Sequence, residues 1–142
     1  MIFELTKKMR FESAHRLGKG YEGKCRNIHG HSWNGEIKVS VTELDQYDFG
    51  VDFSELKRFV SKIEDLLDHK ILLWNEDEEL LNLCDKHGWK YVVFKANPTC
   101  EIIAEFIYGL AKDYFAKNLG ETVKVVSVRI EETCTTSCTY TN

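Results

Sequence analysis

Two stretches of this chain alternate strictly enough to dictate what it can become. Residues 2–15 set Phe3, Leu5, Lys7, Met9, Phe11, Ser13 and His15 at odd positions against Ile2, Glu4, Thr6, Lys8, Arg10, Glu12 and Ala14 at even ones. Residues 29–42 repeat the pattern, with His29, His31, Trp33, Gly35, Ile37, Val39 and Val41 against Gly30, Ser32, Asn34, Glu36, Lys38, Ser40 and Thr42. A side-chain period of two belongs to a strand half-buried on one face. In both stretches the odd face is the core face, Lys7 being the exception. The Gly-bearing connection from Gly18 to Lys24 lets the chain turn back, and in an antiparallel pair the end of one strand lies beside the start of the next. Parity alone therefore brings His15 to His29 and His31.

That convergence has a chemical reading. His29 and His31 lie about 6 to 7 Å apart along one strand face, a spacing suited to chelation. Two imidazoles leave a tetrahedral zinc short, and His15 supplies the third; the fourth position then stays open for water or substrate if the site is catalytic. Cys25, four residues before His29, adds a thiol to the same neighbourhood.

Farther along, Asp52 reads as an N-cap with Glu55 as its capping-box partner. It opens a helix carrying Phe53, Leu56, Phe59, Val60, Ile63, Leu66 and Leu67 on one side and ending near Asp68-His69. Residues 76–87 form a short helix stopped by Gly88, with His87 complementing its C-terminal dipole. Lys90 to Lys95 holds a strand. Asn97-Pro98-Thr99 starts another helix, capped by Asn97 or Thr99, with Ile102, Ile103, Phe106, Ile107, Leu110 and Tyr114 at helical spacing beside the first. In the strand Val123 to Glu132, the residues Val126, Val128, Ile130 and Glu132 share a face and Glu131 points away. A carboxylate closing an apolar face is costly unless something positive or hydrogen-donating meets it, so Glu132 is marked for a role. The tail adds a short strand through Thr139 and Tyr140.

The 142 residues, 43% of them hydrophobic, suit one domain over 1–142. No charged-then-apolar leader and no long apolar run is present, so a soluble cytosolic protein without a membrane span is expected. Five irregularly spaced cysteines read as reduced thiols rather than a disulfide framework. Cys134 and Cys138 lack the second pair a zinc knuckle needs, and Cys84 and Cys100 read as core. A net charge of −4 gives no support to nucleic-acid binding, though a locally basic pocket could hold an anionic small substrate.

The pieces Phe11-Glu-Ser-Ala-His-Arg-Leu17, Cys25-x-x-x-His-Gly-His31, Val51-Asp-Phe-x-x-Leu-Lys57, Leu67-Asp-His69, Asn97-Pro-Thr-x-Glu101 and Glu132-Thr133 with Cys138-x-Tyr140 occur in order along the chain. With them the chain resembles the 6-pyruvoyl-tetrahydropterin synthase family, and within it the 6-carboxy-tetrahydropterin synthases of queuosine biosynthesis. The resemblance implies an α+β tunnelling fold: a four-stranded antiparallel sheet with two helices on one face, oligomerising into a β-barrel as a trimer or dimer of trimers with active sites between subunits. It implies Zn2+ on His15, His29 and His31, Cys25 as thiol base, Asp68 and His69 as a proton-handling pair, and Glu132 and Thr99 as substrate-binding residues. The implied substrate is 7,8-dihydroneopterin triphosphate. Lys24 and Arg26 are candidates for its phosphates. The three residues between Cys25 and His29 favour the carboxy product over the pyruvoyl one, and Cys25 itself speaks against a related group that has glutamate there. Two departures stand out: a long segment between Leu72 and Asn97, and Cys100 where many members carry serine. From another class, a non-catalytic zinc-containing module that binds a pterin or purine would share these residues.

Overall fold

The computed structural model describes residues 1–142. Strand β1 (Phe3–His15) and strand β2 (His29–Val41) pair antiparallel over their whole length, His15 opposite His29 and Phe3 opposite Val41. Met9, Phe11, Trp33, Ile37, Val39 and Val41 are buried on the odd face, as alternation requires. Gly35 sits where a Cβ would come within 2.7 Å of Met9 Cγ, so the missing side chain lets β1 and β2 fill the same layer.

Helix α1 (Phe53–Leu67) starts at Asp52, whose side chain accepts from Ser54 N–H. Glu55 does not complete a capping box; it turns to Arg58 and Tyr114 instead. The buried stripe is Leu56, Phe59, Val60, Ile63 and Leu67, each contributing about 1.5–3 kcal/mol by leaving water. Fifteen residues make a marginal helix alone, so this stripe is what holds it. Phe53 and Leu66, expected on that stripe, are exposed.

The next three elements are strand β3 (Lys70–Trp74), helix α2 (Glu78–His87) and strand β4 (Tyr91–Phe94). Gly88 ends α2 at φ 69°, a left-handed position that costs glycine nothing. Helix α3 (Cys100–Leu119) is capped by Thr99. It buries Ile103, Ala104, Ile107, Tyr108, Ala111 and Phe115, one position round from the expected stripe, while Ile102, Phe106, Leu110 and Tyr114 pack at its flank. Ala104 and Ala111 are fully buried beside Ile103, Ile107 and Phe115 on the same face. Phe59 meets Tyr114 and Phe115 with ring centroids 5.4 and 5.3 Å apart, so the two long helices lie side by side.

Strand β5 (Lys124–Thr133) pairs with β2, and strand β6 (Thr136–Tyr140) with β5. A register shift at Lys38/Val39 sets Val125, not Val126, opposite Val39, and Val125 packs on the core; Val128 and Ile130 follow the expected parity.

The order β4-β3-β1-β2-β5-β6 corrects the expected four-stranded antiparallel sheet with two helices. The sheet has six strands and is mixed, because β3 runs parallel to β1, and β4 to β3. Three helices accompany it. The segment after Leu67 adds the whole difference: two short parallel strands joined by α2, which buries Leu80 and Cys84 against Leu73. No helix is long and apolar enough to cross a membrane.

Candidate metal centre and pterin pocket

At the end of β1 and the start of β2, the ligand atoms of His15, His29 and His31 lie within 4.8 Å of one another. Their ring centroids are 4.7 to 5.1 Å apart. Trp33, fully buried, stands edge-on to the His15 and His31 rings at 5.1 Å and donates its own N–H to the Ser13 carbonyl, making a fixed floor.

Hydrogen bonds decide which nitrogens face inward. His15 Nδ1 is 2.7 Å from the Pro98 carbonyl, and His29 Nδ1 is 2.7 Å from that of Asn27. A carbonyl only accepts, so each Nδ1 carries the proton and each Nε2 keeps a free lone pair. Burial pulls the pKa of His15 and of His31 below the ordinary histidine range, so both rings are neutral ligands at physiological pH. His15 Nε2 and His31 Nε2 are buried without a hydrogen-bond partner. Buried ring nitrogens without a partner are costly unless something meets them, and neutral imidazoles are the donor set a borderline-soft divalent ion takes. The three histidines thus fit a metal ion.

Glu132, at the end of β5, adds a carboxylate. Its Oε1 is 3.3 Å from His31 Nε2 and its Oε2 is 3.9 Å from His15 Nε2. Glu131 points away and pairs with Arg129, as parity required. Beside Glu132 opens a cavity of about 300 Å³ lined by Thr99, Cys100, Glu101, Thr136, Ser137 and Cys138. Burial, and then the Glu132 charge, push the Cys100 thiol up to about 11, so it is a neutral group in this wall. Cys100, expected in the core, packs on the core and lines this cavity at once.

The other expected site residues, Asp68, His69 and Cys25, fall outside the group formed by the three histidines. Asp68 accepts from Glu12 N–H at 2.8 Å and from His69 Nδ1 at 2.7 Å, and His69 N–H donates to the Glu12 carbonyl. His69 takes a left-handed φ of 55°, which turns it out of the helix path, and its side chain is 80% exposed. Asp68 is held below the usual carboxylate range by the Glu12 N–H and then by His69. Cys25 lies half-buried in a 3-10 turn, Lys24–Arg26, whose Cys25 carbonyl accepts from Leu17 N–H.

The pattern of residues did not disclose the backbone carbonyls of Pro98 and Asn27, which orient the histidines, nor Glu101 in the cavity wall. Asn97, expected as a possible helix cap, instead accepts from Gly18 N–H, tying the loop after β1 to the start of α3. The available signal is the piece Asn97-Pro-Thr-x-Glu101, which reads as a helix start and, through the resemblance, gives Thr99 a substrate-binding role but Glu101 none.

The family model described as 6-pyruvoyl tetrahydropterin synthase matches residues 4–142. The chain belongs to the 6-pyruvoyl tetrahydropterin synthase family. It is an enzyme of that family, a lyase. The chain is 32% identical to the 6-carboxy-5,6,7,8-tetrahydropterin synthase of Aquifex aeolicus, over 99% of this chain and 98% of that protein. It is 34% identical to the synthase of the same name from Haemophilus influenzae, over 98% and 99%. Among solved structures, an uncharacterized protein from Wolinella succinogenes superposes with a TM-score of 0.84 at 24% identity, covering 100% and 99% of the two chains. The 6-pyruvoyl tetrahydropterin synthase of Plasmodium vivax superposes at 0.76 with 18% identity, covering 100% and 98%. These last two likenesses speak for the fold.

Proposed function

We propose that this chain, as a single domain, is a zinc-dependent 6-carboxy-5,6,7,8-tetrahydropterin synthase that converts 7,8-dihydroneopterin triphosphate to the carboxy product with release of acetaldehyde and triphosphate, in queuosine biosynthesis in the cytoplasm. The observation that carries the proposal is the meeting of three imidazoles, their ligand atoms within 4.8 Å of one another, with a cavity whose wall includes Glu132 and Thr99. Two of the most similar curated relatives, in Aquifex aeolicus and Haemophilus influenzae, bear that synthase name.

In this reading Glu132 accepts hydrogen bonds from the ring N–H and 2-amino group of the pterin, a flat pair of donors that a carboxylate matches two-to-two. Thr99 lines the same wall. His15, His29 and His31 hold Zn2+, which when bound supplies Lewis acidity toward the side-chain hydroxyls of the substrate. Cys25, as thiolate, takes a side-chain proton. Asp68 accepts His69 Nδ1–H and so leaves Nε2 free to pass protons. Because His69 is exposed and Cys25 lies in a separate turn, we place the complete site between subunits of a homo-oligomer, a trimer or dimer of trimers, where one chain presents its Asp68-His69 pair to the histidine cluster of another. Triphosphate is eliminated, two hydrogens pass from the side chain to the dihydropterin ring, and one water adds to the side-chain carbonyl next to the ring. The adjoining C–C bond then breaks, leaving a carboxylate on the tetrahydropterin and releasing the two-carbon fragment, with a proton taken up, as acetaldehyde.

Incubating the zinc-loaded protein with 7,8-dihydroneopterin triphosphate and resolving the products tests this. Acetaldehyde with carboxytetrahydropterin is expected. Pyruvoyltetrahydropterin would move the chain to the other branch of its family, and intact substrate would make it a binding module.

A further inference from the structure

We propose that Asn97 is a positioning residue for Cys25: its side-chain oxygen grips the backbone at Gly18 and thereby fixes the loop carrying that thiol relative to the histidine cluster. The proposal rests on the role of thiol base given to Cys25 above.

The connection between β1 and β2 has little regular structure of its own. It holds Gly18, Gly20 and Gly23, and both Lys19 and Gly20 take left-handed φ values, of 59° and 74°. A stretch of this kind loses much conformational entropy when it is held in one shape, so whatever holds it decides how well Cys25 is placed. Two sets of ties meet at the 3-10 turn that bears the thiol. From behind, the Asn27 backbone N–H and side-chain amide both donate to the Lys24 carbonyl, while the Asn27 carbonyl accepts from His29 Nδ1. From in front, Leu17 N–H donates to the Cys25 carbonyl at 2.8 Å. The first set carries the position of His29 into the turn. The second carries whatever position Leu17 itself is given.

Asn97 gives it one. Gly18 N–H, the next amide after Leu17, donates to Asn97 Oδ1 at 2.8 Å. The backbone there is closely seated, since a Cβ on residue 18 would stand 3.1 Å from the Trp74 ring and 3.6 Å from Asn97 Oδ1. One residue on, the carbonyl of buried Pro98 accepts from His15 Nδ1 at 2.7 Å. Neighbouring residues 97 and 98 therefore hold the loop and a ring of the cluster at once, and the circuit Cys25–Leu17–Gly18–Asn97–Pro98–His15 closes. An N–H only donates, so the amide oxygen and not the nitrogen of Asn97 faces Gly18. A side chain of the same length with an oxygen acceptor replaces it, and a methyl group does not. Misplacing a reacting group by about 1 Å costs about 10²-fold in rate.

The test compares the full-length, zinc-loaded protein with Asn97→Ala and Asn97→Asp. Asn97→Ala should lower kcat about 10- to 100-fold with KM and zinc affinity at their wild-type values, and Asn97→Asp should recover most of that loss. Alkylation by iodoacetamide, resolved peptide by peptide by mass spectrometry, reads the loop without turnover. Asn97→Ala should speed modification of half-buried Cys25 and leave buried Cys84 as slow as before, and Asn97→Asp should return Cys25 to its wild-type rate. Unchanged kcat and Cys25 rate in Asn97→Ala would overturn the proposal. So would Cys25 and Cys84 accelerating together, or zinc lost with them, because either marks a general loosening of the fold; an Asn97→Asp variant no better than Asn97→Ala would do the same. Native-state hydrogen exchange on the unmutated protein depends on no variant: protected Leu17 and Gly18 amides support the tie, and a Gly18 amide exchanging as fast as in an unstructured peptide refutes it. Should the wild-type protein turn over no substrate, the reading of its function fails, while alkylation and exchange still decide the tie.

Discussion

The histidine cluster and the Asp68-His69 turn both sit where β1 meets a neighbouring strand, yet they are built in opposite ways. The cluster draws on β1 and β2, with Glu132 from β5 beside it; His15 is 2% exposed, rests on Trp33, and has its tautomer set by the Pro98 carbonyl. The turn hangs from the other edge of β1 by two hydrogen bonds to the Glu12 backbone, and its imidazole is 80% exposed. Rigid placement suits groups that must hold an ion at fixed distance. An exposed acid–base pair gains definition only from a further surface pressed against it, which is why the proposed site needs a second subunit.

The sharpest way to break this contrast is His29→Ala. It should weaken zinc binding by more than the roughly 100-fold that outer contacts are worth and abolish turnover, as read by chelator competition and product assay. Next in size are Cys25→Ala and His69→Ala, which should lower turnover by about 10²- to 10⁴-fold while zinc affinity and melting temperature stay at wild-type values. A loss of zinc in either would place these residues in the metal centre and erase the distinction.

A smaller effect tests how the strand end is anchored. Arg16, directly after His15, forks onto buried Asp77 at the start of α2, with contacts of 2.7 and 2.6 Å. The guanidinium holds the Asp77 carboxyl below the usual carboxylate range. A depressed carboxyl stabilises the fold fully above its unfolded pKa of about 3.9, and that stability is lost as pH falls through the folded value. Asp77→Asn should therefore melt lower at pH 7 and lose less on acidification than wild type, in thermal melts between pH 7 and pH 2. Smallest of all, Glu131→Gln should leave zinc affinity and the Michaelis constant unchanged, because Glu131 faces Arg129 on the opposite side of β5 from Glu132.

Much of the histidine cluster was legible because alternation is a local property. Once residues 2–15 and 29–42 read as strands, the parity of His15, His29 and His31 followed, and Glu132 followed from Val128 and Ile130. Strand β3 was not legible: Lys70–Trp74 is five residues with a continuous apolar run, a pattern that periodicity cannot separate from a buried helical turn. Its partner on each side is parallel, so no hairpin turn announced it. The shift that brings Val125 to the core in place of Val126 comes from the β2–β5 register, a relation between residues some ninety positions apart.

The order of side chains along the chain, by itself, determined which residues share a face, and so that three imidazoles and one carboxylate meet at one end of the sheet. Only the tertiary structure decided which nitrogen of His15 faces inward, that Asn97 ties a loop rather than capping a helix, and that β3 joins as a sixth strand with β4 parallel beside it. The physical reason is that facing is set by the two-residue pleat, which any short stretch carries within itself. Tautomer, tie and strand count depend on backbone groups brought from far away, as when the carbonyl of Pro98 reaches a ring 83 positions earlier.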